Sequence, residues 1–290
     1  MTWLVWLVLV PCLLAIAVAG LSAYGSKRWA DATRALASRL EATRVDDKLR
    51  QASQARFDAR ELEGLPAPVQ RYFRAVLKEG QPTISAATVE LAGTFNLSAT
   101  GEQWKPFTSE QRIITRRPGF LWNARMSMLP GLAVRVVDSY IAGEGLLHAA
   151  LLGLFKMAYV HGGGEIGRGE FMRFFVEAPW YPTALLPSQG VRWEAVDERS
   201  ANATISDGPI TLTLLFRFDD AGLIGSFRAE ARGAVVGKET VMLPWEGRWS
   251  DYRVHGGMTV PFTGEVAWMR PEGRKPYFVG HVKKLRYEFL

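Results

Sequence analysis

Charge is missing from one end of this chain: Met1–Ser26 holds no Lys, Arg, His, Asp or Glu. Cysteine is almost missing too, and the single Cys12 excludes an internal disulfide. That suits a reducing compartment without requiring one. No H-E-x-x-H, C-x-x-C or G-x-S-x-G pattern occurs, so zinc-hydrolase, redox and serine-hydrolase readings lack support. His148, His161, His255 and His281 have no metal-ligand spacing, and neither a metal nor a cofactor is expected. Low-complexity tracts are absent and apolar residues plentiful, which argues against disorder and for a substantial core.

What fills the uncharged run is grease. Trp3–Tyr24 reads WLVWLVLVPCLLAIAVAGLSAY. As a helix of about 22 residues it would span roughly 33 Å, enough for a hydrocarbon core of about 30 Å. Lys27, Arg28 and Trp29 follow at once, the flank expected at headgroup level. Ala17-Val18-Ala19 and Leu21-Ser22-Ala23 resemble signal-peptide cleavage sites, but Met1-Thr2 supplies no basic n-region and the run exceeds a signal core. Pro11 precedes Cys12 and no basic leader stands upstream, so Cys12 is not read as a lipid-anchor cysteine. A retained single-pass anchor is expected, in the inner (cytoplasmic) membrane. Lys27, Arg28, Arg34 and Arg39 follow the span and no basic residue precedes it, which favours a cytoplasmic domain over the periplasmic alternative.

The sequence divides into an anchor (1–26), a basic helical stem (27–64) and a large domain (65–290). Between Lys27 and Arg60 stand nine Lys or Arg against five Asp or Glu. Trp29, Thr33, Leu36 and Leu40 form a helical stripe that Val45, Leu49 and Ala52 continue. Such a stem could lie near anionic headgroups or pack on the domain as an ordinary solvated helix. Its acids are interleaved with its bases and no binding motif accompanies them, so no nucleic-acid partner is expected. A second helix is predicted from Leu65-Pro66-Ala67-Pro68 through Val69–Leu77, with Gly80 as its stop and Val69, Tyr72, Phe73, Val76 and Leu77 on one buried face.

From about Thr83 the hydrophobic period becomes two. Strands are expected over 83–97, 107–116, 120–126, 133–141, 191–196, 201–205, 210–218, 223–231, 245–254, 258–268 and 277–289. The clearest puts Ile210, Leu212, Leu214, Phe216 and Phe218 on one face. Arg117-Pro118-Gly119 and Asp219-Asp220-Ala221-Gly222 read as hairpin turns, and the short links argue for an antiparallel meander. Between Gly145 and Pro187 an apolar run (LLHAALLGLFKMAYV), a glycine cluster and a helical segment interrupt the strands. The fold class is therefore α+β: an N-terminal transmembrane helix, then a large curved antiparallel sheet with helices on its concave side.

His161–Gly169 contains the spacing G-x-G-x-x-G, but a dinucleotide site needs it inside a parallel βαβ unit, and the flanking strands look antiparallel. A flexible loop before a helix is the better reading. In Glu170–Pro187, Arg173 and Glu177 stand at i, i+4 and Glu170 and Arg173 at i, i+3, among Phe171, Phe174, Phe175 and Trp180. Charges in so apolar a run point to solvent or are buried as a pair. Paired burial with a structural role is the plainest account, and a polar anchor in a ligand cavity the sharper one. Trp104, Trp122, Trp180, Trp193, Trp245, Trp249 and Trp268 fall in the domain, where indoles fill cores and also line cavities.

Several stretches together resemble an uncharacterised bacterial family known as a domain of unknown function. They are Leu65–Arg74 (LPAPVQRYFR), Gly119–Arg125 (GFLWNAR), Asp138–Gly145 (DSYIAGEG), Arg173 with Glu177–Pro187 (EAPWYPTALLP) and Val191-Arg192-Trp193, within about 65–289. Members of that family without an anchor fit a cytoplasmic domain. The strand-rich pattern with a central helical interruption also resembles the half-barrel of bacterial lipoprotein carriers, in architecture alone. The expectation is a membrane-tethered module binding an apolar or lipid-like ligand, with Trp122, Arg125, Arg173, Glu177, Trp180 and Trp193 as contacts. The alternatives are a scaffold for an unidentified protein partner and an enzyme on lipid-linked substrates using Glu177 or Asp138.

Overall fold

The fold is that of a computed structural model, which describes residues 2–44, 56–98, 101–129, 131–236 and 239–290. Helix α1 (Thr2–Ala42) is 41 residues, about 62 Å long, and runs through Ser26-Lys27 without a break. It is long and apolar enough to cross a membrane, with a mean hydropathy of 2.3 over its most apolar window. Its first half is exposed and its second half packs on the domain. The stripe read from the sequence explains the packing: Trp29 and Leu40 are buried, and Leu36 lies against the same cluster. Val45, Leu49 and Ala52 lie outside the described residues.

Thirteen strands among the described residues form one antiparallel sheet in the order β6-β5-β4-β3-β2-β1-β13-β12-β11-β10-β9-β8-β7. Two meanders make it. The first is β1 (Ile84–Asn96), β2 (Trp104–Ile114), β3 (Gly119–Leu129), β4 (Leu132–Ile141), β5 (Glu144–Leu151) and β6 (Phe155–Gly162). The second is β7 (Arg192–Asp197), β8 (Ser200–Asp207), β9 (Ile210–Phe218), β10 (Ile224–Val236), β11 (Glu239–His255), β12 (Met258–Arg270) and β13 (Gly273–Phe289). The pairing of β1 with β13 joins them. Strand β9 keeps the bounds that its alternation gives, with Leu212, Leu214, Phe216 and Phe218 buried.

The reading of Gly145–Val160 as an interruption is corrected: it is the β5–β6 hairpin. Its alternation is hidden because both faces are apolar. Leu147, Ala149 and Leu151 face the main core, while Leu146 and Ala150 face α1 on the opposite side. A strand covered on both faces reads as a continuous apolar run.

The sheet curves around α2 (Ala67–Val76) and α3 (Gly164–Val176), which fill its concave side. The second helix ends at Val76, where Leu77 turns extended, so Gly80 sits in the next turn rather than at the stop. Helix α3 packs on β4, β5 and β6 at one side and β9 and β10 at the other, then leads through short 3-10 turns (Ala178–Trp180, Pro182–Leu185, Pro187–Gln189) to β7. The glycine cluster permits this seating. A Cβ on Gly145 would stand 2.6 Å from the Ile166 carbonyl oxygen, and one on Gly167 2.9 Å from that of Gly143.

Candidate ligand cavity

Helix α3 turns Phe171, Phe174 and Phe175 into the core and aims Arg173 and Glu177 at β2, β3 and β4. The Arg173 guanidinium donates to Glu177 Oε1 at 2.9 Å, Asp138 Oδ2 at 2.7 Å and Gln111 Oε1 at 3.3 Å. Gln111 Nε2 closes the ring on Glu177 Oε2. The guanidinium also lies 4.6 Å from the centre of the Trp122 ring and 5.1 Å from that of Phe120, within cation–π range. Burial works against its charge, but Glu177, Asp138 and Glu170 outweigh that and hold it more firmly protonated than a free arginine.

A looser pair stands beside this ring. Arg232 on β10 stacks 4.0 Å over Trp245, with its guanidinium 3.9 Å from Glu170 Oε1. Burial, reinforced by the neighbouring Asp138, raises the Glu170 carboxyl to about 8 despite Arg232. Burial raises Asp138 as well, against the pull of Arg173.

These groups border a cavity in two parts. An inner chamber of about 120 Å³ is walled by Trp122, Trp180, Trp245, Trp249, Phe227 and Phe278, with Asp138, Arg173, Glu177 and Arg232 at its polar side. Close packing shapes its floor: a Cβ on Gly264 would stand 2.6 Å from the Trp249 ring. An outer chamber of about 620 Å³ shares Phe95, Asp138, Arg232 and Tyr277 with the inner one. It extends along α3, past Glu170, to the β1–β2 turn and to the ends of β10–β13. The outer volume falls in the range of small-molecule sites, and the inner one alone does not. Around the two chambers the Asp138 Oδ1 and Glu170 Oε2 oxygens and the indole N–H groups of Trp122, Trp180 and Trp249 are buried without a hydrogen-bond partner in the protein. Among the described residues no group of three or more His, Cys, Asp or Glu could hold a metal ion.

A model of a family of unknown function, DUF6920, matches residues 63–287. The chain belongs to that family. No curated protein matches it. Among solved structures, this DUF6920 member is similar to a LolA superfamily protein from Nitrosomonas europaea, at 10% identity and a TM-score of 0.39, over 78% of this chain and 96% of that one. It is also similar to a β-barrel-like protein of unknown function from Brucella abortus, at 9% identity and a TM-score of 0.24, over 71% and 99%.

Of the contacts expected from the sequence, Trp122, Arg173, Glu177 and Trp180 meet at the inner chamber of this DUF6920 domain. Arg125 does not. It is three residues from Trp122 on β3, so the pleat turns it to the convex face, opposite Arg135. Trp193 packs in the core against Phe73, Phe216 and Phe218, its indole donating to the Leu185 carbonyl at 3.0 Å. Sequence reasoning missed Arg232, Gln111 and the role of Glu170. The strand period on β10 sets Phe227 and Ala229 inward, and a register shift between Ala229 and Arg232 then turns Arg232 inward too. Such a bulge leaves no mark in the alternation.

Proposed function

We propose that the protein is a membrane-tethered, non-enzymatic binding module whose curved sheet holds an apolar or lipid-like molecule. The polar end of that molecule meets Asp138, Glu170 and Arg232 in this reading. The apolar half of α1 serves as a retained single-pass anchor in the cytoplasmic membrane, and the basic residues after it favour a cytoplasmic domain.

One observation carries the reading: an aromatic-walled inner chamber stands beside an outer one of ligand size, and the two are bordered by buried carboxyl oxygens and indole donors that no protein group satisfies. Each such orphan costs roughly 1–3 kcal/mol if it stays unpaired, so a ligand with hydroxyl, amine or carbonyl groups recovers what the fold gives up. The walls are apolar, which suits hydrocarbon next to that polar end.

Native mass spectrometry of the full-length protein, before and after delipidation, tests the proposal. The expected result is an apolar adduct that returns on adding lipid extract and weakens in Trp249→Ala and Asp138→Asn. A protein that retains and rebinds nothing apolar would sink it. The raised Asp138 carboxyl also favours a second reading, acid–base chemistry on a lipid-linked substrate. Product profiles unchanged by Asp138→Asn and Glu177→Gln would remove that one.

A further inference from the structure

Helix α1 carries a ruler along its length, and the sheet carries another beside it. Ser26 Oγ accepts a hydrogen bond from Arg135 Nη2 at 2.6 Å, and a Cβ on Gly131 would stand 4.0 Å from Val18. From Ser26 back to Val18 is about 12 Å of helix. From Arg135 back to Gly131 is about 13 Å of strand. The two agree, so the β3–β4 hairpin runs alongside the apolar half of the helix. Its tip forms a groove with Pro11, Leu14, Ala15, Val18, Ala19 and Ser22. The β5–β6 turn sits shallower: a Cβ on Gly25 would meet the Leu152 carbonyl oxygen.

Composition separates these two turns from the others at the same end of the strands. No charged residue lies between Arg125 and Arg135, nor between His148 and Lys156. Three of the remaining turns at that end carry Glu102, Asp207, and Arg270 with Glu272. Leu129 is 64% exposed and Phe155 57% exposed, although both side chains are apolar. Arg125 and Arg135 form a cross-strand pair at the level of Ser26, close to Lys27 and Arg28. A basic belt thus bounds an apolar projection made of one helix and two hairpin tips.

We infer that the lipid bilayer is the partner of this projection: the β3–β4 tip dips into the same leaflet as the α1 anchor, and the β5–β6 tip rests at the interface. The inference rests on the anchor proposed above and deepens it. With Lys27 at the headgroups, the Gly131 level lies about 13 Å inward, inside a leaflet of roughly 15 Å. Antiparallel pairing satisfies the backbone groups that the two strands turn toward each other at that depth. The arginine pair then meets lipid phosphates, and the domain is held at one orientation rather than swinging on a single helix.

Fluorescence quenching in proteoliposomes of phosphatidylcholine and phosphatidylglycerol tests this on the full chain. In a Cys12→Ser background, single cysteines replace Leu14, Leu129, Phe155 or Asp220 and carry an environment-sensitive dye. The expected order of quenching by deep acyl-chain doxyl lipid is Leu14 and Leu129 strong, Phe155 weaker, and Asp220 none. The Leu129 probe should also shift to the blue on reconstitution. Quenching at Leu14 with none at Leu129 would overturn the docking and leave the anchor standing. No quenching at Leu14 would overturn both. Neither outcome touches ligand binding in the cavity, which mass spectrometry reads separately.

Discussion

An ionic network on the convex face of this sheet and one on its concave face differ in what surrounds them. On the convex face Arg112 bridges Glu41 of α1 and Glu288 of β13, each at 2.7 Å, and Arg44 reaches Glu288 at 2.9 Å. Those side chains are 21–47% exposed, so water shares the work. On the concave face the Asp138–Arg173–Glu177 side chains are only 12–14% exposed, set against Phe120 and Trp122. A half-exposed network clips a helix to a strand at little cost. A buried one is often no better for stability than apolar side chains of the same volume. Keeping charges inside, with carboxyl oxygens left unsatisfied, is therefore not accounted for by stability alone, and the ligand proposed above would supply the reason.

The sharpest break of that comparison removes one member of the buried ring. Arg173→Met leaves Asp138 and Glu177 facing each other without the guanidinium that bonds both. The expected loss is about 3–5 kcal/mol in chemical or thermal unfolding of the purified protein. A loss below about 1 kcal/mol would place the ring in water and end the contrast between the two faces.

The two networks should also differ in the sign of their pH dependence. Glu170 titrates near 8 in the folded protein against 4.5 in a free chain. The folded state thus binds the proton more tightly, so stability is full below pH 4.5 and falls as pH rises towards 8. The total is of the order of a few kcal/mol, since one pKa unit corresponds to about 1.4 kcal/mol. Glu170→Gln should flatten the unfolding free energy over that window. Glu288 runs the other way. The hydrogen bond from Arg112, with that from Arg44 behind it, holds its carboxyl below the usual range. Its contribution therefore fades as pH falls below 4.5.

How legible each face was in the sequence follows from the same physics. Strands with one wet side declare themselves, as β9 does through Thr211, Thr213 and Arg217 alternating with buried Leu212, Leu214 and Phe216. The β5–β6 hairpin does not, because α1 covers the convex side of β5 and removes the polar half of its alternation. At the cavity, the spacing of Arg173 and Glu177 foretold their ion pair, since i, i+4 contacts are local to a helix. Their partners Asp138 and Gln111 come from strands 35 and 62 residues away, where nothing local records the meeting. Parity alone could have separated Arg125 from Trp122: residues three apart on a strand face opposite ways.

The smallest expected effect belongs to the convex clip. Arg112→Met keeps most of the aliphatic stem while removing the guanidinium that joins Glu41 to Glu288 and reaches Thr88 Oγ1. Exposed pairs of this kind are worth about 1 kcal/mol or less, partly because ordering two long side chains offsets the attraction. Salt should weaken the wild type towards the variant, since charges near the surface are screened over about 10 Å at 0.1 M. Acid should do the same, as protonating Glu288 removes the anion that Arg112 holds. A double-mutant cycle of Arg112→Met with Glu288→Gln, read by denaturant unfolding, isolates the coupling. A coupling that survives high salt would mean that the convex network is as dry as the concave one. The difference in solvent exposure would then no longer account for what sets the two faces apart.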